Sequence, residues 1–271
     1  MAELRNYIHG HTSAVVSAHA RRTAKGFTPY VIPHIKPHHK VLDVGCGPGT
    51  ISADLAELVP SGGVTCLDAS SDVLETAQGA FRGRGLANGD FVVGDVTALP
   101  FPDESFDVVH AHQVVIHLGD PEAGMLEMRR VLKPGGVLAC KDMIVPSMSY
   151  SPVLPGMDAW RTALAATMRG AGADPDMGAR LKGLALKAGF AAASVTCSVG
   201  AWCFWKPEDV SWWGASVSER LAEKEGLRRK VAEAGVLSDE EMMEGARAWA
   251  EWAGRVEAWF GVMNGEVICV K

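Results

Sequence analysis

The chain has 271 residues, 48% of them hydrophobic and 21% charged, with a formal net charge of −6. Such a chain can bury a sizeable core in one globular domain. The acidic balance, with no long Lys/Arg run, argues against a nucleic-acid surface.

Residues 3–35 read as helical, with Ala14, Val15, Ala18 and Ala20 on one face until Pro29 and Pro33 break the pattern. The stretch Lys40-Val-Leu-Asp-Val-Gly-Cys-Gly-Pro-Gly-Thr50 follows. Val41, Leu42 and Val44 suit a buried parallel strand. Gly45, Gly47 and Gly49 come next at alternate positions, and Ile51, Leu55 and Leu58 then recur at helical spacing. Strand, glycine turn and helix bring a ligand against bare backbone. Glycine admits positive φ and carries no Cβ, and a helix start offers unpaired N–H groups. A lone G-x-G would be only a tight turn. The spacing also departs from the G-x-G-x-x-G of dinucleotide sites, and Asp43 precedes the turn.

Further strands are expected at Gly63–Asp68, Phe91–Asp95, Phe106–Ala111 and Val137–Lys141, with His112-Gln113 following the fourth. Helices are expected at Thr50–Val59, Ser71–Arg84 and Pro121–Val131, with a short one after Gln113. Asn88-Gly89 and Lys133-Pro134-Gly135-Gly136 mark turns. This alternation predicts an α/β fold with a doubly wound, mostly parallel sheet. Ligands in such sheets sit outside the carboxyl ends of the strands, where Gly45, Asp68, Asp95 and His112 all fall. Asp68 there can accept hydrogen bonds from both hydroxyls of a ribose.

Residues 145–176 break the rhythm with Pro146, Pro152 and Pro155, and read as a loop-and-helix insertion over the site. Met177–Ala188 is the returning helix, closed by Gly189, and Ala192–Val199 is the sixth strand. The tail from Trp202 carries seven of the eight tryptophans. It is expected to form helices Pro207–Ala234 and Ser238–Phe260, the second opened by a Ser238/Glu241 capping box. Arg228-Arg229-Lys230 lies among glutamates and reads as a solvated helix face. Trp249, Trp252 and Trp259 share one helical face, either as core or as the aromatic wall of a pocket. Glu266–Val270 closes the sheet as an antiparallel strand beside the sixth.

The motifs DVGCGPGT, LDAS, VGDV, LPFPDESFDVV and RRVLKPGG, in that order, resemble the class I S-adenosylmethionine-dependent methyltransferases. The similarity covers about residues 7–145 and is greatest to the ubiquinone/menaquinone-biosynthesis branch and its secondary-metabolite relatives. The resemblance implies a seven-stranded Rossmann-like sheet with an N-terminal helical lid and helical insertions, in a single domain. Its parts would be a lid (1–39), a cofactor-binding core (40–145), a cap insertion (145–176), and the rest of the sheet (177–271) with a Trp-rich insertion at 205–262. It also implies S-adenosyl-L-methionine as cofactor, released as S-adenosyl-L-homocysteine. The residues that would hold it are Asp43, Gly45, Cys46, Gly47, Gly49 and Thr50 at the turn, and Asp68, Ala69 and Ser70 at the ribose. Gly94, Asp95 and Val96 would meet the adenine, and His112, Gln113 and His117 the methionyl end. From the lid come Tyr7, Arg22 and Thr23, the last two being the better partners for the cofactor carboxylate.

A small-molecule acceptor is expected, with His11, Trp160, Trp202, Phe204 and Trp205 as candidate substrate-facing residues. His112 and His117 are candidate bases, since imidazole titrates near neutrality, although a thiol acceptor would need little help. No Asn/Asp-Pro-Pro-Tyr run follows the fourth strand, which disfavours a nucleic-acid base as substrate. Asp142 alone makes no carboxylate cluster, so no metal is expected. The pattern Asn6-Tyr7…Gly10-His11…Arg22-Thr23 is similar to fungal enzymes that S-methylate reduced epidithiodiketopiperazines. Transfer to S, O or C stays open, as does the oligomeric state. A non-catalytic cofactor-binding regulatory domain and an NAD-linked oxidoreductase are the alternatives. No apolar run reaches the roughly 18 residues of a membrane span, and the polar start does not read as a signal peptide. The six cysteines form no C-x-x-C pair and read as reduced thiols. A cytoplasmic protein is therefore expected.

Overall fold

The structure, a computed structural model, describes residues 22–224 and 226–271. Five strands, β1 (Lys40–Val44), β2 (Gly63–Asp68), β3 (Gly89–Val93), β4 (Phe106–His112) and β5 (Leu132–Met143), pair in parallel in the order 3-2-1-4-5. Val41, Leu42 and Val44 of β1 are fully enclosed, as a central parallel strand requires. The final strand, β8 (Trp259–Val270), lies antiparallel between β5 and β7 (Val195–Phe204).

Among the described residues the sheet has eight strands rather than the expected seven. β8 starts at Trp259, seven residues before the expected Glu266, and so runs past the end of β5. The overhanging edge at Trp259–Gly261 is covered by β6 (Ser149–Ser151), a three-residue strand inside the segment read as loop and helix.

Helices cover both faces of the sheet. Behind β1 and β2 pack α2 (Thr50–Leu58) and α3 (Ser71–Gly83), which join Val31 and the short α1 (Ala24–Phe27) in one core cluster. The opposite face carries α4 (Pro121–Arg130), α5 (Asp158–Gly170), α6 (Met177–Lys187), α7 (Pro207–Ala222), α8 (Leu227–Glu233) and α9 (Asp239–Trp252) in a larger cluster. No helix among the described residues is long and apolar enough to cross a membrane.

The tail is inserted between β7 and β8, but its boundaries differ from expectation. The first helix breaks into α7 and α8 where Glu223 turns extended and Gly226 adopts a backbone foreign to helices. The second starts at the capping box, Ser238 Oγ accepting from Glu241 N at 3.2 Å, yet it ends at Trp252 rather than Phe260. Trp249 and Trp252 are core. Trp259 instead sits on β8, half-exposed, donating from Nε1 to Cys203 Sγ at 3.1 Å. Past Ala253 the chain leaves the helix, with Val256 96% exposed and Ala258 buried, and Trp259-Phe260 pair as strand with β6, where aromatics fit a pleated surface.

Candidate active site

The three glycines of the turn have different reasons to be glycine. All have positive φ: +61° at Gly45, +57° at Gly47 and +77° at Gly49. A Cβ on Gly45 would lie 2.6 Å from Val114 Cγ2, and one on Gly49 would lie 2.6 Å from Ala77 Cβ. At Gly47 it would meet nothing within 4 Å, so the middle glycine faces open space. The Cys46 N–H donates to Leu67 O at 3.0 Å and fastens the turn to β2. The Cys46 thiol, held against Cys66 and buried, has its pKa pushed well above the ordinary range and stays protonated.

Asp43 serves the turn from behind. Its buried carboxylate accepts from Ser52 Oγ at 2.5 Å and pairs with His110 Nδ1 at 2.7 Å. Both of its oxygens are thus engaged inside the protein, tying β1 to α2 and β4, whereas the sequence reading has Asp43 on the cofactor. The His110 pair carries no local signal.

Asp68 ends β2 beside the turn. Its carboxylate accepts from Gly47 N and from Ser70 N, each at 3.1 Å. Ala69 is exposed, and Ser70 caps α3 through Val73 N. The loop after β3 is drawn to the same edge, with Gly94 N donating to Asp68 O at 3.0 Å. Asp95 there is exposed, and its Oδ1 accepts from both the N–H and the hydroxyl of Thr97, while Val96 is buried. Gly45, Gly47, Asp68 and Asp95 therefore gather at one end of the sheet.

The described part of the expected lid begins at Arg22; Tyr7 and His11 lie outside the described residues. Thr23 is exposed and caps α1 through Gly26 N at 3.1 Å. Arg22 is drawn instead over Trp202, its Cζ 4.9 Å from a ring centroid. His112, at the end of β4, is buried. It stacks on His110 with centroids 6.3 Å apart and meets Phe27 edge-on at 6.4 Å.

His117 lies on a short 3-10 turn (Val115–His117). Desolvation, with the nearby Arg22 charge adding to it, lowers its pKa to about 4. The ring is neutral at pH 7 but a weak proton acceptor, which runs against the expected role of His117 as a base. A lowered histidine pKa stabilises the fold fully above the unfolded value near 6.5, and that stability is lost as pH falls towards about 4. The expected loss is at most about 3 kcal/mol. His117→Gln should flatten the melting temperature against pH across this window. An unchanged profile would assign the acid sensitivity to other groups.

Beyond the end of β4 opens a cavity of about 60 Å³. Gln113, Ile116 and His117 form one wall, Met148, Trp160 and Leu164 another, and Trp202, Phe204 and Trp213 a third. Of the expected substrate-facing aromatics, Trp160, Trp202 and Phe204 line it. Trp205 does not and is 62% exposed. Side chains alternate along β7, so Trp202 and Phe204 face inward and Trp205 falls outside. Trp212, Trp213 and Arg220 of α7 line the cavity without having been singled out from the sequence. The only signal for Trp212 and Trp213 was the concentration of tryptophans in the tail, and Arg220 had none.

Gln113 is held with φ +58°, rare for a residue with a side chain. Its Nε2 donates to Asn264 Oδ1 at 2.8 Å, and its Oε1 accepts from Met143 N at 3.3 Å. The strained residue is thereby clamped between β5 and β8 at the mouth of the cavity. Beneath it, burial raises the Asp142 pKa well above the carboxylate range, against the opposing pull of the Val114–Ile116 backbone N–H groups. No cluster of metal-ligating side chains occurs among the described residues.

Residues 42–140 match the family described as Methyltransferase domain. The chain is 31% identical to an uncharacterized methyltransferase of Schizosaccharomyces pombe, over 98% of this chain and 96% of that protein. It is 29% identical to a probable methyltransferase, ltbC, of Aspergillus luteorubrus, over 98% of this chain and 97% of the relative. Among solved structures, a SAM-dependent methyltransferase from Methanosarcina mazei aligns over 90% of this chain and 98% of its own. Its TM-score of 0.56 at 18% identity is a likeness of fold.

Proposed function

The chain belongs to the S-adenosylmethionine-dependent methyltransferases, and we propose that it methylates a small organic acceptor held in the aromatic cavity beside Gln113 and His117. The observation that carries this reading is the position of the cavity. It opens past the carboxyl end of β4, at the same end of the sheet as the glycine turn and Asp68.

The residues present fit the cofactor. The middle glycine of the turn presents backbone to open space. The Asp68 carboxylate beside it accepts hydrogen bonds and repels phosphate, as suits a ribose carrying free hydroxyls. In this reading the Gly45–Gly49 backbone holds the amino-acid part, Asp68 the ribose, and the Gly94–Val96 loop the adenine. When bound, the cofactor would supply a methyl carbon on a sulfonium; an acceptor lone pair would form the new bond to that carbon as the carbon–sulfur bond breaks and its electron pair stays on sulfur. The protein's part is to orient the acceptor and keep water out. Gln113, fixed by Asn264 and Met143, and the Trp160 and Trp202 walls supply orientation and dryness.

Charge-assisted hydrogen bonds to a carboxylate contribute about 1.5–3 kcal/mol each. Asp68→Ala is therefore expected to weaken S-adenosylhomocysteine at least roughly tenfold in calorimetry, and an unchanged affinity would end the ribose assignment. The function itself is tested by incubating the protein with methyl-labelled cofactor and a panel of small thiols, phenols and quinols, alongside metabolite comparison of a deletion strain with its parent. Normal cofactor binding with no labelled small molecule in either experiment would favour a non-catalytic cofactor-binding protein.

A further inference from the structure

The walls of the cavity carry a consistent polarity in a chain whose net charge is −6. Arg22 and Arg220 line it, and none of the described residues lining it is an aspartate or glutamate. Each arginine lies over an indole face: Arg22 Cζ is 4.9 Å from a Trp202 ring centroid, and Arg220 Cζ is 5.7 Å from that of Trp160. Guanidinium stacked on an aromatic face keeps its full charge and a rigid fork of donors.

A second, independent observation concerns hydrogen bonding. The indole N–H groups of Trp160, Trp202 and Trp213 have no acceptor among the described residues, although each side chain is more than nine-tenths buried. The contrast with the core is clear. Trp249 Nε1 donates to Met157 O and Trp252 Nε1 to Ser151 O. Buried polar groups ordinarily find partners, so three orphaned donors around one cavity indicate acceptor atoms that arrive with a ligand. The lowered pKa of His117, to which Arg22 contributes, is in keeping with a positive potential there.

Resting on the methyltransferase reading above, we propose that the acceptor presents a small acidic group to this cavity and is bound as its anion. Arg22 and Arg220 counter its charge, and the indole N–H groups hydrogen-bond its oxygen or sulfur atoms. An acceptor already ionised has given its proton to water before it binds, so no side chain need act as base. The same walls select against protonated amines, which would bring a second positive charge beside the two guanidinium groups.

The test uses two small probes of nearly equal shape, acetate and the neutral acetamide, titrated by tryptophan fluorescence at pH 7.5 with saturating S-adenosylhomocysteine. Wild type is expected to bind the anion at least tenfold more tightly than the amide. Arg220→Gln should cut that preference to within threefold while leaving the amide affinity unchanged, and Arg220→Lys, which keeps the charge, should retain most of it. Circular dichroism melts verify that the variants are folded. Equal binding of the two probes by wild type, failure of both to bind, or a preference that survives in both Arg22→Gln and Arg220→Gln would overturn the proposal. S-adenosylhomocysteine affinity, measured by calorimetry on the same samples, reports on the methyltransferase reading separately. Loss of that binding counts against the cofactor site, and its presence without anion preference counts against this inference alone.

Discussion

Gly47→Val is expected to lose S-adenosylhomocysteine binding by at least a hundredfold in calorimetry while the protein stays folded. A Cβ at Gly47 meets no protein atom within 4 Å, so the native packing does not oppose the side chain. Two effects remain. One is the backbone, since φ of +57° suits glycine and costs a β-branched residue on the order of 1–2 kcal/mol. The other is the isopropyl group itself, which occupies the space where the cofactor approaches the turn. Gly85→Val separates them. Gly85 has φ +67° with the same empty surroundings, but it is exposed past the end of α3, away from the turn. Both variants should lose similar stability, and only Gly47→Val should lose binding. If Gly47→Val binds normally, the ligand does not touch the turn.

Trp249→Ala should destabilise the protein by about 3–5 kcal/mol, a fall in melting temperature of roughly 6–20 °C for a domain of this size. The Trp249 indole is fully enclosed on α9, packs against Tyr150 and Trp252 with centroids 5.2 Å away in each case, and donates to Met157 O at 3.0 Å. Truncation leaves a cavity and removes one of two hydrogen bonds to Met157 O, which keeps the Trp160 backbone N–H as a donor at 3.3 Å. Trp205→Ala is the control. At 62% exposure it should change stability by no more than about 0.5 kcal/mol. Cofactor affinity below the melting transition should survive in both, because the glycine turn lies on the other side of β4. A drop of less than about 2 °C for Trp249→Ala would mean that the tail contributes little to the common core.

The cofactor half of the molecule was legible in the sequence because its determinants are local. β1, the glycine turn and α2 are consecutive, and apolar periodicity together with glycines that must take positive φ specifies them without distant partners. The alternation of strands and helices from 40 to 145 then implied a parallel, doubly wound sheet, since parallel neighbours need crossover connections. The cap at Ser238 was likewise readable from a few neighbouring residues.

What only the tertiary structure decided involves partners far apart in the chain. That Asp43 turns inward to His110, 67 residues away, rather than towards ligand, depends on the register of β1 against β4. The length of β8 depends on two neighbouring strands and on β6 covering its overhang, none of which leaves a pattern in residues 259–265. The tryptophans divide in the same way. Trp249 and Trp252 finish with paired N–H groups in the core, whereas Trp160, Trp202 and Trp213 finish with unpaired ones around a cavity beside Arg22 and Arg220. Hydropathy is the same for all five. Their difference arises only when β7, α5 and α7 converge, because an indole becomes wall or core according to whether a protein carbonyl stands opposite its N–H.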